Sequence, residues 1–451
     1  MGERRTPEHY RRMEIYLRRL QRLGIKLGLE TITRILKALG NPQRDYPSIL
    51  IGGTNGKGSV AAILAAIFER AGIHTGLYTS PHLVNLEERF VVGGRPIPGE
   101  DLAENILKVR DTTQSLLKSG SLKHSPTYFE VTTAAALSYF ADQRISMAIL
   151  EVGMGGRFDA TNAVEPILSI VTPVEFDHQE FLGDTLSAIA REKLGIVRPG
   201  GVLVTGRQHP EVEAVIEKFC RDKGVTLREA LRSIRVVRDP AGAVSFLGKL
   251  VSIPPLRPAL CGEHQLDNAA TALAACQVMS GRGFPVPDAA IAEGLQSVEW
   301  PGRLQSLPGR PRWLLDGAHN PAACRALSGY LQVGESTHPP VLVFGALKDK
   351  DHEGMLRALT PNCSEVVLCR PPTDRAASRE ALLRSGRRVG IQVTWKDAPA
   401  EALALAAEKA GPAGTILVTG SLYLVGEALR LRKPAAKIRK TFHSSDSFLQ
   451  I

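Results

Sequence analysis

The chain has 451 residues, 43% hydrophobic and 23% charged, an ordinary balance for a globular protein and enough for two or three domains. No apolar run reaches the ~18 residues of a membrane-spanning helix. The basic N-terminus carries Glu3, Glu8 and Glu14 and lacks both the apolar core of a secretory signal and the acid-poor character of a transit peptide.

A cytoplasmic protein with no membrane partner is therefore expected. The net charge of +10 would suit an anionic small ligand or nucleic acid. Basic residues are scattered outside Arg430–Lys440 and lack interleaved aromatics, so nucleic acid is not expected. Cys220, Cys261, Cys276, Cys324, Cys363 and Cys369 form no CxxC pair, which points to buried free thiols rather than disulfides or zinc ligands.

In chain order, apolar spacing predicts helices over 10–27 and 31–39, the second stopped by Gly40-Asn41-Pro42. The stretch ILIGGTNGKGSV at 49–60 then runs from an aliphatic strand through Gly53, Thr54, Asn55, Gly56, Lys57, Gly58 and Ser59 into an alanine-rich helix. Such a loop cradles phosphate with backbone N–H groups and a helix N-terminus, and Lys57 adds a full charge. Gly58 stands where the common pattern has Ser or Thr directly after lysine.

A strand at 75–78 ends at Ser80, a rim position of an α/β sheet. Helices at 98–117 and 131–142 follow, the second opened by Thr127 to Glu130. The apolar run 146–152 places Glu151 at a strand end, where a metal-organising carboxylate belongs. The glycine-rich 153–159 reads as a ligand-contacting loop, and Asp177-His178 follows another strand at 167–172. A helix over 185–197 puts Lys193 on its apolar stripe, where desolvation would lower its pKa.

Beyond a strand at 202–205, a β-hairpin is predicted over 233–253 and a helix over 264–279, with Asn268 in its first turn. Trp300-Pro301-Gly302-Arg303 marks a domain boundary. Strands at 313–315, 341–344, 366–369, 393–395 and 415–418 then alternate with helices, which implies a parallel sheet. Asp316 to Asn320 and Thr419 to Ser421 sit at its strand ends.

The ordered segments GTNGKGS, SPHL, TYFE, EVGMGGRFDATN, DH, EKLGI, HQLDNAA, PGR, LDGAHN and TGSLYLVGE resemble the folylpolyglutamate synthase / dihydrofolate synthase branch of the Mur ligase superfamily. Met154, Phe158 and Leu194 are apolar departures from its pattern. The resemblance implies an α/β protein. A P-loop-type Mur ligase ATPase domain would cover 1–299, a doubly wound Rossmann-like domain 300–435 and a flexible basic tail 436–451. It implies an ATP-dependent ligase, expected to be a monomer, that joins L-glutamate to folate and to dihydropteroate through an acyl phosphate.

By the same resemblance Lys57 would hold the β- and γ-phosphates, with Gly53 to Ser59 around ATP. Ser59, Ser80, Glu151, His178 and a carbamylated Lys193 would organise two Mg2+ ions. Asn268 and Asp316 would contact the adenosine, and Arg303 the phosphates. Lys348, His319 and Ser421 would serve the substrate side with glutamate, and Thr127, Phe129 and Asp159 the pterin side. The alternatives are a muramyl-type peptide ligase, disfavoured by Gly58 and TGSLYLVGE, and a nucleic-acid-dependent P-loop ATPase.

Overall fold

A computed structural model describes residues 7–21, 24, 26, 28–333 and 338–432. They divide into two compact units. The first runs to Gln305 and includes Asn320 and the helix Pro321–Val333; the second holds Ser306–His319 and the described residues from His338 onward.

The first unit is built on an eight-stranded sheet. Its strands are β1 (Ser48–Gly52), β2 (Thr75–Tyr78), β3 (Phe90–Val92), β4 (Arg95–Pro96), β5 (Met147–Glu151), β6 (Pro166–Val171), β7 (Val202–Thr205) and β8 (Thr226–Glu229), in the order β4-β3-β2-β5-β1-β6-β7-β8. All pairs are parallel except β2 with β3 and β3 with β4. A parallel sheet must be covered on both faces, so its strands read as continuous apolar runs. In β1, Leu50 enters one core with Tyr78, Leu150 and Val171, while Ile49 and Ile51 enter the other with Leu77, Ile149 and Ile170.

The expected hairpin at 233–253 is a three-stranded antiparallel sheet instead. Here β9 (Ile234–Arg238) pairs with β10 (Val244–Gly248), and β10 with β11 (Ser252–Leu256). The chain turns back at Gly248–Val251, which lets Ile253 and Leu256 join Phe246 in the core. Sequence reading passed over β3, β4 and β8 and the helices Pro210–Lys223 and Asp288–Ser297. The N-terminal helix ends at Gln21 rather than near Leu27, and the tail at 436–451 lies outside the described residues.

The second unit carries β12 (Gln305–Leu307), β13 (Arg312–Leu315), β14 (Val341–Phe344), β15 (Glu365–Cys369), β16 (Thr394–Lys396) and β17 (Thr415–Thr419), ordered β12-β13-β17-β14-β15-β16. The four strand pairs from β13 to β16 run parallel. The helices His352–Leu359 and Arg379–Val389 pack together, as do Pro399–Ala410 and Leu422–Arg432. Strand order reverses on the return from β16 to β17, so right-handed crossovers put these two helix pairs on opposite faces. The sheet is doubly wound.

Candidate active site

The loop after β1 is shaped by positions that have no room for a side chain. Gly53 has φ 132°, and a Cβ there would lie 1.9 Å from Thr172 Oγ1; a Cβ on Gly56 (φ 89°) would lie 2.4 Å from Asn268 Oδ1. Gly58, the departure from the common phosphate-loop pattern, would put its Cβ 2.8 Å from the Trp300 ring. The indole occupies the space that a side chain directly after the lysine would need. Thr54 fixes the loop to the segment after β6: its N–H donates to Pro173 O (2.9 Å), and its hydroxyl donates to Glu175 O and accepts from Glu175 N–H (both 3.1 Å).

Two lysines meet on this loop. Lys57, first residue of the helix Lys57–Arg70, donates from Nζ to Gly53 O and Thr54 O (both 3.1 Å). Lys193, only 4% exposed near the end of the helix Leu186–Leu194, donates to the same Gly53 O at 2.7 Å. Burial, reinforced by the Lys57 charge, lowers the Lys193 pKa to about 7. Burial also lowers that of Lys57, opposed by Glu151, Asp177 and Asp159 and reinforced by Arg303. Six charged groups from six segments are thereby gathered within electrostatic reach of one glycine loop.

Lys193 is held in place by a close backbone approach. A Cβ on Gly156 would lie 2.7 and 2.8 Å from the carbonyl oxygens of Glu192 and Lys193, and one on Gly195 would lie 2.5 Å from Arg157 Cβ. The glycines of the two segments thus allow mutual contact. Asp159 braces the same loop, accepting from Met154 N–H (2.9 Å), Thr161 N–H (3.0 Å) and the Thr161 hydroxyl (2.6 Å). Burial raises its pKa against these donors.

Glu151, at the end of β5, is 5% exposed and accepts from the Ser80 backbone N–H at 3.0 Å. Burial raises its pKa, with Lys57 the strongest opposing influence. Ser59 is buried one residue beyond Gly58. His178 has a left-handed backbone (φ 51°), and its Nε2 lies 3.9 Å from Asp177 Oδ2. Asn268 is buried against Gly56 and donates to Gln265 Oε1 (3.0 Å). Asn55 exchanges two amide hydrogen bonds with Asn320 (2.9 and 3.3 Å), a pairing that the sequence did not signal.

Thr127 and Phe129 are already engaged within the protein. Thr127 caps the helix Tyr128–Asp142 in a buried box with Glu130, and the Phe129 ring leaves no room for a Cβ on Gly153. Sequence reading also missed Arg89, because a lone arginine before a short strand carries no motif; its partner His82 stood in the SPHL segment without an assigned role.

In the second unit, Asp316 and Ala318 lie just past β13 and Gly420 just past β17. Asp316 accepts from Ala318 N–H (2.8 Å), and Gly420 N–H donates to Ala318 O (3.0 Å). His319 Nδ1 lies 2.8 Å from Gly317 O. Buried Ser421 caps the helix Leu422–Arg432 through Leu424 N–H (3.2 Å). Lys348 is exposed beyond β14.

A model of the Mur ligase middle domain matches residues 51–276, and one of the Mur ligase, glutamate ligase domain matches 302–422. Bacillus subtilis dihydrofolate synthase/folylpolyglutamate synthase is 31% identical over 412 residues, covering 90% of this chain and 95% of its own. The chain belongs to the folylpolyglutamate synthase / dihydrofolate synthase family. A further member, Mycobacterium tuberculosis folylpolyglutamate synthase complexed with ADP, superposes with a TM-score of 0.86 at 32% identity, covering 95% of this chain and 99% of that one. A Halobacterium salinarum protein named "Probable bifunctional folylpolyglutamate synthase/dihydropteroate synthase" is 37% identical over 92% of this chain. The present chain spans 50% of that relative's length. Among the described residues, no helix is long and apolar enough to cross a membrane.

Proposed function

We propose that this chain is an ATP-dependent ligase that joins L-glutamate to folates and to dihydropteroate, forming ADP and phosphate. The observation that carries the reading is the meeting of Lys57 and Lys193 on Gly53 O, beside the buried Glu151. Family membership and the ADP-bound relative support it. In this reading the loop N–H groups and the helix N-terminus hold the ATP phosphates. Phosphoryl transfer to the folate carboxylate brings several anionic oxygens together, which Lys57 and Arg303 offset. The resulting acyl phosphate takes up the glutamate amine, and phosphate leaves. Asp316 and Asn268 serve the adenosine side; His319 and Ser421 serve the incoming amino acid, with Lys348 assisting on the substrate side; Thr127, Phe129 and Asp159 border the pterin side.

The residues fit magnesium by chemistry. Among the described residues, no three or more His, Cys, Asp and Glu gather as a metal cage. The buried Glu151 carboxylate with the hydroxyls of Ser59 and Ser80 is an oxygen set of the sort that holds Mg2+ together with substrate phosphates. His178 and a Lys193 carbamate would complete two sites, and the ions would neutralise phosphate oxygens. Carbamylation needs a neutral amine, which a pKa of about 7 supplies. A 13C carbamate signal in the wild type that is absent from Lys193→Ala tests this modification.

The function is tested by ADP release with dihydropteroate or tetrahydrofolate, with and without glutamate, followed by the mass of the product. Gain of one glutamyl unit, dependent on both substrates, is expected. Glutamate-independent, DNA-stimulated ATP hydrolysis would overturn the reading.

A further inference from the structure

Arg89 is 8% exposed, yet it forms no ion pair with any described residue. Its Nε donates to His82 Nδ1 (3.0 Å), and its guanidinium carbon lies 5.5 Å from the centroid of the Tyr128 ring. His82 takes that bond on its ring nitrogen, and an imidazole carries no negative charge in either protonation state, so it cannot balance the cation. The acids beside Arg89 in sequence are committed elsewhere. Glu87 accepts from the Tyr10 hydroxyl, and Glu88 accepts from the N–H groups of Leu83, Val84 and Asn85.

The two Nη groups make no hydrogen bond with a described residue. They are also not among the unbonded atoms sealed from solvent. With Nε taken by His82, these two groups form the remaining fork, the edge that grips a carboxylate with two parallel bonds. A guanidinium buried without a counter-ion is costly, and an anionic ligand would offset that cost.

The position of Arg89 favours one anion over another. His82 lies two residues from Ser80, whose N–H holds Glu151. Arg89 also lies close enough to act electrostatically on Glu151, which sets it beside the proposed reacting centre.

We propose that Arg89 binds the non-reacting α-carboxylate of a pteroylglutamate substrate, which makes it a specificity residue for substrates with two carboxylates. The inference rests on the ligase reading above. Dihydropteroate has a single carboxylate, the one that reacts, so it would gain nothing from Arg89.

The test uses the full-length chain with tetrahydrofolate, its α-amide derivative and dihydropteroate as probes. Wild-type protein should bind the α-amide on the order of 10- to 100-fold more weakly than tetrahydrofolate, the usual range for losing a charged hydrogen-bonding partner. Arg89→Met keeps the stem over Tyr128 and should lose that discrimination, raising the KM for tetrahydrofolate while leaving dihydropteroate within about threefold. Arg89→Lys should recover part of it through charge without the fork. An equal loss for tetrahydrofolate and dihydropteroate, or wild-type indifference to the α-amide, would overturn the assignment. If Arg89→Met does not fold, Arg89→Lys supplies the comparison at this position, and wild-type indifference to the α-amide overturns the assignment without any variant. Wild-type protein that turned over neither substrate would remove the ligase reading itself, an outcome distinct from turnover of both with no carboxylate discrimination.

Discussion

At the scale of single residues, the site depends on places where a side chain cannot go. A Cβ on Gly156 would lie 2.7 and 2.8 Å from the carbonyl oxygens of Glu192 and Lys193, and backbone does not yield as the end of a flexible side chain does. Gly156→Ala should therefore cost about 1–3 kcal/mol through overpacking, measured by denaturant unfolding. It should also reduce ligation more than the stability loss accounts for, because the clash displaces the backbone of Lys193. Unchanged turnover by a destabilised Gly156→Ala protein would separate Lys193 from the chemistry. Lys57→Ala should abolish ligation and leave a folded protein. Its Nζ bonds two carbonyls of its own loop, so about 1 kcal/mol of stability is the expected loss. Circular dichroism alongside ADP release checks both halves of that statement.

At the scale of elements, the helix Tyr128–Asp142 tests what its first turn is for. The Thr127 hydroxyl accepts from Glu130 N–H (3.2 Å), while Glu130 Oε2 accepts from Thr127 N–H (2.7 Å) and the Thr127 hydroxyl (2.9 Å), a reciprocal capping box. Thr127→Ala should cost about 1–2 kcal/mol. Burial is the largest influence on Glu130 and raises its pKa above 4.5. The folded state then holds this proton more tightly than the unfolded chain. That contribution to stability is fully present below the unfolded value of about 4.5 and is lost as pH rises through the folded value. The stability of wild type relative to Glu130→Gln should accordingly shrink as pH rises; a flat difference would show that Glu130 is not desolvated.

Elements with a strong local signal were legible in the sequence. The glycine loop, the Glu151 strand end and the strand–helix alternation after residue 300 all lie where apolar runs and glycines placed them. Lys193 stood out as a charge on an apolar stripe and is buried. Short edge strands such as β3 and β4 gave no such signal, since two or three residues cannot show a period. Arg89 escaped for another reason. Its lack of an ion pair among the described residues is a fact of three dimensions, with no trace in residue spacing.

At the scale of the whole molecule, the groups proposed for the nucleotide phosphates and those proposed for glutamate divide between the two units, while Asp316, proposed for the adenosine, belongs to the second. Lys57, Glu151, Lys193 and Arg303 belong to the first, and His319 and Ser421 to the second. A ligase with this division should show separable defects. His319→Ala and Ser421→Ala are expected to raise the KM for glutamate by about tenfold, the usual effect of losing one polar contact to a charged substrate. Their affinity for ADP should stay near wild type. Ser421 also caps the helix Leu422–Arg432, so Ser421→Ala alone could act through about 1 kcal/mol of helix stability. Ser421→Asp keeps a capping oxygen but places a negative charge opposite an incoming carboxylate, and so separates the two effects. If Ser421 faces glutamate, the aspartate variant should unfold like wild type and yet show the larger KM defect. Isothermal titration with ADP, run beside glutamate saturation curves on the same preparations, reads both quantities. Equal weakening of ADP and glutamate in His319→Ala and Ser421→Asp would refute the division of labour.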